Sequence, residues 1–411
     1  VWIQPAWHAT PAAPDNHPPT AGTPPAAAAA AALLRELDWR VPAWAEALRR
    51  ASLPAVAAAW RADRVAEPLD APDTAPHSAQ AAAAAAVTVH AARGLRLDGG
   101  AAFAATTVWA AALHRAVAPA DPAAHHDTRL GAGGLADPLG ALARTGHLPP
   151  GLEGAYDQLA ALVAWGAGQR RLTWIDAGLY HDAGATDVQE LAALAASLAE
   201  VLRALRQRGV PIETIARSLI VGLRVDTSLF PAIAKLRAAR VLGARIIEVF
   251  GGGREVQRVP LHATTAWREW TRRDPWGNLL RGTLGGFAAA VGGADGIMAY
   301  AFDLAARRGG SGVGRRLARH MQLVLREEAH LGRVQDPAGG AWSIETLTDS
   351  LATAAWAQFQ AIEARGGMAA VLQDGSWHAE VSASAGALRK DVATRRRPFV
   401  GVGEFAVLDE A

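Results

Sequence analysis

The 411-residue chain contains no cysteine, and its only lysines are Lys235 and Lys390. The lack of cysteine excludes disulfides, thiolate metal sites and cysteine nucleophiles, and it is compatible with a cytoplasmic location, which we expect. Because nearly every cation is arginine, the sequence pI is about 9.4 although the formal net charge is only +2. A basic groove for nucleic acid is therefore not predicted.

Long hydrophobic runs are also lacking. No apolar stretch approaches the roughly 20 residues that span a bilayer, because Arg, Asp, Gly or Pro interrupts each alanine-rich segment. No secretory leader is indicated, and we expect no membrane association. The hydrophobic fraction of 51% is nevertheless sufficient for a sizeable core.

The chain begins with a segment that is poorly suited to packing. Residues 1–32 are rich in Pro and Ala, which predicts an extended N-terminal arm. Residues 33–411 are predicted to form one folded domain.

Beyond residue 80, short β-rich runs alternate with longer helical ones. This order favours a parallel sheet, and in the absence of a dinucleotide-binding glycine fingerprint it predicts an α/β fold, a (β/α)8 TIM barrel. Extra helices are predicted over 315–366. The predicted strands are 87–90, 172–175, 219–225, 245–250, 258–264 and 296–300, and the predicted helices are 33–48, 53–65, 187–208, 229–242 and 278–290.

A tyrosine and a histidine follow the predicted strand 172–175. Thr186 or Asp187 can cap the next helix, and Gly184 permits a sharp turn, so a structural role alone explains this segment. A functional role is the alternative, because TIM-barrel sites form where strands end. Tyr180 and His181 are therefore candidate catalytic residues, with His181 as a proton donor or a hydrogen-bond donor to a carbonyl.

Alternation along the strand 258–264 directs Pro260, His262 and Thr264 to one face. A histidine and a threonine inside a barrel would form a polar lining, which makes His262 a candidate catalytic and substrate-binding residue and Thr264 a candidate substrate-binding residue. A hydrogen-bonded core histidine is an equally good interpretation.

Three other motifs favour no site. His125, His126 and Asp127 are adjacent and lack a third ligand at helical spacing, so we predict no metal site. The glycines at 251–253 are not followed by Lys-Ser or Lys-Thr, which excludes a P-loop. The arginines at 395–397 are predicted to be a solvated surface.

Seven short stretches together resemble the acyl-CoA-binding barrel of the methylmalonyl-CoA mutase family, in order and with similar spacing, from about Asp137 to Phe405. Their collinearity makes the resemblance specific. The stretches are Asp182-Ala-Gly-Ala-Thr186, Ala234-Lys-Leu-Arg-Ala-Ala-Arg240, the segment from His262 through Asp274 to Arg281, Arg316-Leu-Ala-Arg319 with Gln322 and Glu327-Glu328, Asp336-Pro-x-Gly-Gly340 with Glu345 and Leu347-Thr348, Gly366-Gly-Met-Ala369, and Gly401-Val402.

The resemblance implies a TIM barrel with a polar interior that is threaded by coenzyme A and packed against a cobalamin domain. Catalytic chains of the family move a carbonyl-CoA group by a radical mechanism that begins with homolysis of the cobalt–carbon bond of adenosylcobalamin. In a catalytic chain of this kind, Arg281 would lie toward the CoA phosphates.

The sequence departs from the family's cobalamin motif. That motif, Asp-x-His-x-x-Gly, supplies the lower axial histidine of cobalt, whereas the only Asp-x-His here is Asp15-Asn16-His17 within the proline-rich arm. We therefore expect adenosylcobalamin to be held by a partner chain or domain, and none to be bound by this chain alone.

Residues of the barrel also depart from the pattern. In an ungapped alignment, Leu179 stands at the family's catalytic histidine, and His181 is displaced by two residues, which along a strand would keep its face but move it by about 6–7 Å. Pro260 replaces a substrate-binding arginine. Leu135 stands where a catalytic chain has a glutamine, and residues 24–32 replace the entrance strand.

These departures favour a non-catalytic, structural or regulatory subunit, similar to the family's small subunit, that pairs with a catalytic mutase chain. A second hypothesis is a catalytic acyl-CoA-binding subunit, lined by Tyr180, His181 and His262, whose cobalamin domain is a separate protein. A third is an acyl-CoA-binding protein without chemistry.

Overall fold

The structure, a computed structural model, describes residues 2–3, 96–98, 134–148, 151–168, 171–307 and 310–406. The chain forms two compact units, Val1–Pro138 with Leu148–Thr173 and Leu139–His147 with Trp174–Ala411. Several predicted features lie outside the described residues: the strand 87–90, the helices 33–48 and 53–65, all of the arm except residues 2–3, and His125, His126 and Asp127.

The first unit contains three short parallel strands in the order β1 (Trp2–Ile3), β2 (Arg96–Asp98) and β3 (Gly134–Leu135). Ala136, which follows β3, forms a parallel bridge with Thr173. Helix α2 (Gly151–Gly166) also belongs to this unit.

A four-stranded parallel sheet belongs to the second unit except for Thr173, and its strands lie in sequence order: β4 (Thr173–Asp176), β5 (Leu219–Val225), β6 (Leu261–Thr265) and β7 (Gly296–Met298). These strands confirm four of the predicted ones, with ends that differ by up to three residues. A parallel sheet that alternates with helices confirms the mixed α/β class.

Most of the second unit is helical. Helices α4, α6 and α9 pack on one another, and α7 packs on α6. The helices are α1 (Pro138–Thr145), α3 (Gly178–Ala183), α4 (Asp187–Gln207), α5 (Ile212–Ser218), α6 (Leu229–Val249), α7 (Gly277–Val291), α8 (Gly312–Leu323), α9 (Trp342–Ala364), α10 (Met368–Gln373) and α11 (Ser376–Ala393).

The start of α4 forms as its sequence predicts. Thr186 caps the helix by accepting a hydrogen bond from the backbone N–H of Gln189 at 3.2 Å, and the Gln189 side chain accepts from the Thr186 N–H at 2.9 Å. Just before this capping box, Gly184 has a φ of 113°, and a Cβ there would lie 2.4 Å from the Cβ of Ala385. Both the turn and the close approach require glycine.

One predicted strand is wrong. Residues 245–250 contain a β-branched run that favours a strand, yet 245–249 form the last part of α6 and Phe250 is its C-cap. Ile246 and Ile247 are buried there. They follow the buried Leu242 by four and five residues, and so continue the inward-facing side of the helix. Tertiary packing overrides the local β propensity.

Within the described chain, no helix combines the length and apolarity that crossing a bilayer would demand.

Candidate functional site

The two faces of the four-stranded sheet differ in chemistry. Along β5, Val221, Leu223 and Val225 alternate with Gly222 and Arg224. The face that carries Val221, Leu223 and Val225 meets the helices: a Cβ added at Gly285 of α7 would lie 3.6 Å from Cγ2 of Val225. The opposite side, which carries Arg224, is called the polar face below.

Two rings lie across the middle of the polar face. In the strand register Gly222 pairs with His262, and His262 pairs with Gly296. The ring centroids of Trp174 and His262 are 5.8 Å apart at 72°, an edge-to-face contact. A Cβ at Gly222 would lie 2.5 Å from the Trp174 ring, and a Cβ at Gly296 would lie 2.2 Å from the His262 ring. The glycines thus provide the space that the rings fill.

A row of charged and polar side chains lies two residues further along each strand, on the same face of the sheet. Arg224 Nη1 donates to Asp176 Oδ1 at 2.9 Å, and Arg224 Nε donates to Asp182 Oδ2 at 2.6 Å. Burial acts to lower the pKa of Arg224, but Asp176 and Asp182 raise it above its usual range. Thr264 pairs with Arg224 in the strand register, so it occupies the same row. The row therefore carries a permanent cation that is already paired with two carboxylates.

A second ionic cluster is built where β5 meets the starts of α4 and α6. Lys235, only 1% exposed, donates to Asp187 Oδ1 at 2.6 Å and to Glu190 Oε2 at 2.7 Å. Burial acts to raise the pKa of Asp187, yet Lys235 brings it below its usual range, while burial raises the pKa of Glu190. The other oxygen of Glu190 accepts the Arg224 backbone N–H at 2.7 Å, which joins the two clusters.

His181 is enclosed by this cluster. Its side chain is 0% exposed, and its Nε2 lies 3.6 Å from Asp226 Oδ2 and 3.8 Å from Asp187 Oδ1. Burial, followed by the charge of Lys235, lowers the pKa of His181 to about 3. The imidazole is therefore neutral at physiological pH. A neutral imidazole is a poor general acid, so His181 does not suit the role of proton donor that its position after a strand suggested.

His181, Asp187 and Glu190 offer ligand atoms that all lie within 4.8 Å of one another, close enough to surround a metal ion. The Lys235 ammonium, however, already contacts both carboxylates. It supplies the positive charge that an ion would bring, so the cluster is complete as an ion-pair network.

His181 makes stability depend on pH. Its folded-state pKa of about 3 lies below the ordinary value of 6.5, so the unfolded chain takes up the proton first as the pH falls. This contribution is complete above about pH 6.5 and is lost as the pH falls toward 3. Between pH 7 and pH 5, His181 should remove about 2 kcal/mol from the free energy of unfolding, a loss that urea titrations of a His181→Gln variant should lack.

The matched control is His147→Gln, since His147 is exposed. Its pH dependence should equal that of the unsubstituted chain. If His181→Gln loses as much stability between pH 7 and pH 5 as the unsubstituted chain, His181 is not the titrating group.

The structure corrects the predicted position of His181. It lies on α3, directly after β4, and not on an extended strand. A helix turns by about 100° per residue, so a displacement of two residues rotates a side chain by about 200°. His181 therefore does not point in the direction of Leu179, as it would along a strand.

The remaining candidates have separate partners. The Tyr180 ring packs edge-to-face on Trp377, with centroids 5.9 Å apart. Arg281, on α7, donates to Asn278 Oδ1 at 2.8 Å, to Thr271 Oγ1 at 3.0 Å and to the Val400 carbonyl at 2.7 Å. Among the predicted residues, the structure brings His262 and Thr264 together on the polar face, whereas Tyr180, His181 and Arg281 pack elsewhere.

The arginines at 395–397 are only partly a solvated surface. Arg395 and Arg396 are exposed, but Arg397 Nη2 donates to Glu269 Oε1 at 2.6 Å and lies 3.6 Å from Asp226 Oδ2. The expectation of a solvated run was wrong for Arg397, because two largely buried carboxylates attract its guanidinium.

No role was predicted from the sequence for six residues of the polar face and of the ionic cluster around Lys235. A signal was available for two of them: Arg224 follows Gly222 at strand period inside an apolar run, and Lys235 is one of two lysines and lies in an otherwise apolar stretch of helix. The others carry no such signal. The residues are Trp174, Asp176, Glu190, Arg224, Asp226 and Lys235.

Comparison with known proteins agrees with the motifs. The family profile described as Methylmalonyl-CoA mutase matches residues 102–411, which extends the region of resemblance toward the N-terminus. The chain is 41% identical over 284 residues to "Probable methylmalonyl-CoA mutase small subunit" of Mycobacterium tuberculosis, a match that covers 67% of this chain and 44% of the relative.

Two other small subunits give similar values. The chain is 42% identical over 278 residues to "Methylmalonyl-CoA mutase small subunit" of Streptomyces virginiae, which covers 67% of this chain and 44% of the relative. It is 38% identical over 272 residues to the protein of that name from Propionibacterium freudenreichii, covering 66% and 42%. The chain thus spans less than half the length of these relatives. Since the family profile covers most of its residues, the chain belongs to the methylmalonyl-CoA mutase family.

Proposed function

We propose that this chain is a non-catalytic, structural or regulatory small subunit of an adenosylcobalamin-dependent acyl-CoA mutase, and that it pairs with a catalytic mutase chain. The observation that carries the proposal is the filled and internally paired polar face. Trp174 and His262 lie over the glycines of neighbouring strands, and Arg224 is held by Asp176 and Asp182. The names of the similar proteins, which are small subunits, support the same role.

The proposal includes a (β/α)8 barrel. Parallel strands that follow one another in chain order support it. In such a barrel the polar face would be the interior, where the resemblance implies that coenzyme A threads through the barrel.

The burial of the candidate side chains argues against catalysis. A catalytic group must reach the reacting atoms. His181 is enclosed, and His262 is 6% exposed beneath its ring contacts. Arg281, the candidate for the CoA phosphates, donates to three oxygen acceptors within the chain, so a phosphate would have to displace those bonds.

The two buried candidate histidines do not fit cobalamin. Within residues 134–406 as described, no histidine stands in an Asp-x-His-x-x-Gly sequence. His181 and His262 are buried, so neither could reach the lower face of a corrin ring. We therefore assign cobalamin binding to a partner.

The test uses the full chain, alone and after co-expression with a full-length catalytic mutase chain. The chain alone, with adenosylcobalamin and a panel of acyl-CoA substrates, should give no isomerisation, and it should co-purify with its partner in fixed stoichiometry. In that complex, His262→Gln should change kcat by less than about twofold. A loss of about 100-fold or more, the size of a missing acid–base catalyst, would instead assign catalysis to this chain.

A further inference from the structure

We infer that the helix-facing side of the sheet carries a binding site for an amphipathic anion, a molecule with a short apolar chain and one carboxylate or phosphate group. A cavity of about 310 Å³ lies among α4, α6, the strands β5 and β6 and the segment that precedes β6. This volume is at the small end of the range of small-molecule sites, which begins at about 300 Å³.

The inner wall of the cavity is apolar. Leu194 and Leu198 of α4 line one side, and Val221 and Leu261 of the strands line another. All four side chains are buried. Such a wall favours an alkyl or acyl chain over a polar ligand.

Small residues of α6 keep the cavity open. Ala239, Gly243 and Ala244 face it, and a Cβ added at Gly243 would meet no atom within 4 Å. Glycine destabilises a helix interior relative to alanine. A larger residue at this position would both favour the helix and fill the space, so the opening is maintained against the local preference of the helix.

Positive charge surrounds the mouth. Arg240, Arg254 and Arg258 line the cavity. Asp295 accepts hydrogen bonds from Arg240 at 2.9 Å and from Arg258 at 2.8 Å. Two of these guanidinium groups share one carboxylate and Arg254 adds a third positive charge to the lining, which leaves positive charge for a ligand. Guanidinium groups bind carboxylates and phosphates well.

The site is separate from the polar face. Val221 and Leu261 alternate along their strands with Gly222 and His262, so they point to the opposite side of the sheet. A ligand in the cavity would contact α4 and α6 and would not touch His262. The inference therefore does not depend on the proposed function, and each can fail without the other.

The test is a titration of the full chain with octanoate, octyl phosphate and 1-octanol, followed by calorimetry and by thermal unfolding. At least one anion should bind and raise Tm, because a ligand that binds only the folded state stabilises it. The better anion identifies the head group. The neutral 1-octanol should bind at least about tenfold more weakly, since it cannot pair with arginine. Equal binding of 1-octanol, or no binding of either anion at millimolar concentration, would overturn the inference.

Variants locate the site. Gly243→Leu fills the cavity and should weaken anion binding by at least about tenfold, whereas Gly243→Ala adds one methyl and should retain it. Arg254→Gln should weaken binding by roughly threefold to tenfold. Arg245→Gln, which removes an exposed arginine from the same helix outside the cavity, should leave binding unchanged. Equal affinities for Arg254→Gln and Arg245→Gln contradict the site even if Gly243→Leu fails to fold.

Discussion

Replacing Lys235 by alanine should lower the free energy of unfolding by about 3–5 kcal/mol at neutral pH. The substitution removes the ammonium group that pairs with Asp187 and Glu190, and it leaves the fully buried Glu190 without that cation. Urea denaturation followed by circular dichroism measures the loss. It is a large fraction of the roughly 5–15 kcal/mol that stabilises a typical domain.

The chain offers a matched control, because Lys390 is its only other lysine and is exposed. Lys390→Ala should change the free energy of unfolding by less than about 0.5 kcal/mol. A Lys235→Met/Glu190→Gln double variant should recover part of the loss, since it removes both charges of a buried pair. If Lys235→Ala is as stable as Lys390→Ala, the buried ion pairs do not hold α6 against α4.

Replacing Arg224 by methionine should cost a similar amount, about 3–5 kcal/mol of unfolding free energy. Arg224 neutralises Asp176 and Asp182 on the polar face, and its aliphatic stem also contributes to packing, which methionine largely replaces. The expected loss is therefore mainly electrostatic. Burial already raises the pKa of Asp182 while Arg224 opposes that rise, so the variant should also take up a proton at Asp182 at higher pH.

Arg245→Met is the control for Arg224→Met. Arg245 is 60% exposed and pairs across the surface of α6 with Glu248, an interaction of about 0–1 kcal/mol. The two large losses should be close to additive, because the two side chains pair with different carboxylates and Arg224→Met keeps the backbone N–H that Glu190 accepts. A loss below about 1 kcal/mol for Arg224→Met would show that its pairs with Asp176 and Asp182 do not stabilise the fold.

The fold was largely accessible from sequence wherever the signal was local. The apolar run of β5 and the capping residues of α4 can be recognised in a short stretch of sequence, because each depends on neighbours within a few residues. The region 245–250 was misleading for the same reason. Its β-branched residues favour a strand locally, and only the packing of α6 on its neighbours makes them helical.

The candidate site was predicted less completely. His262 and Thr264 were found by strand alternation, which is a local pattern. Arg224 and Lys235 were missed, since their partners lie far along the chain: 48 residues separate Arg224 from Asp176, and 45 separate Lys235 from Glu190. No short window of sequence contains both members of such a pair.

Collinear motifs along the chain are enough to identify its family. Its parallel α/β order is also predictable, because periodicity is a property of neighbouring residues. Packing in three dimensions, in contrast, encloses His181 in a neutral form, places two rings on the polar face and pairs Lys235 of α6 with Glu190 of α4. Burial and ion pairing depend on which elements pack together, and that depends on contacts between residues remote in sequence.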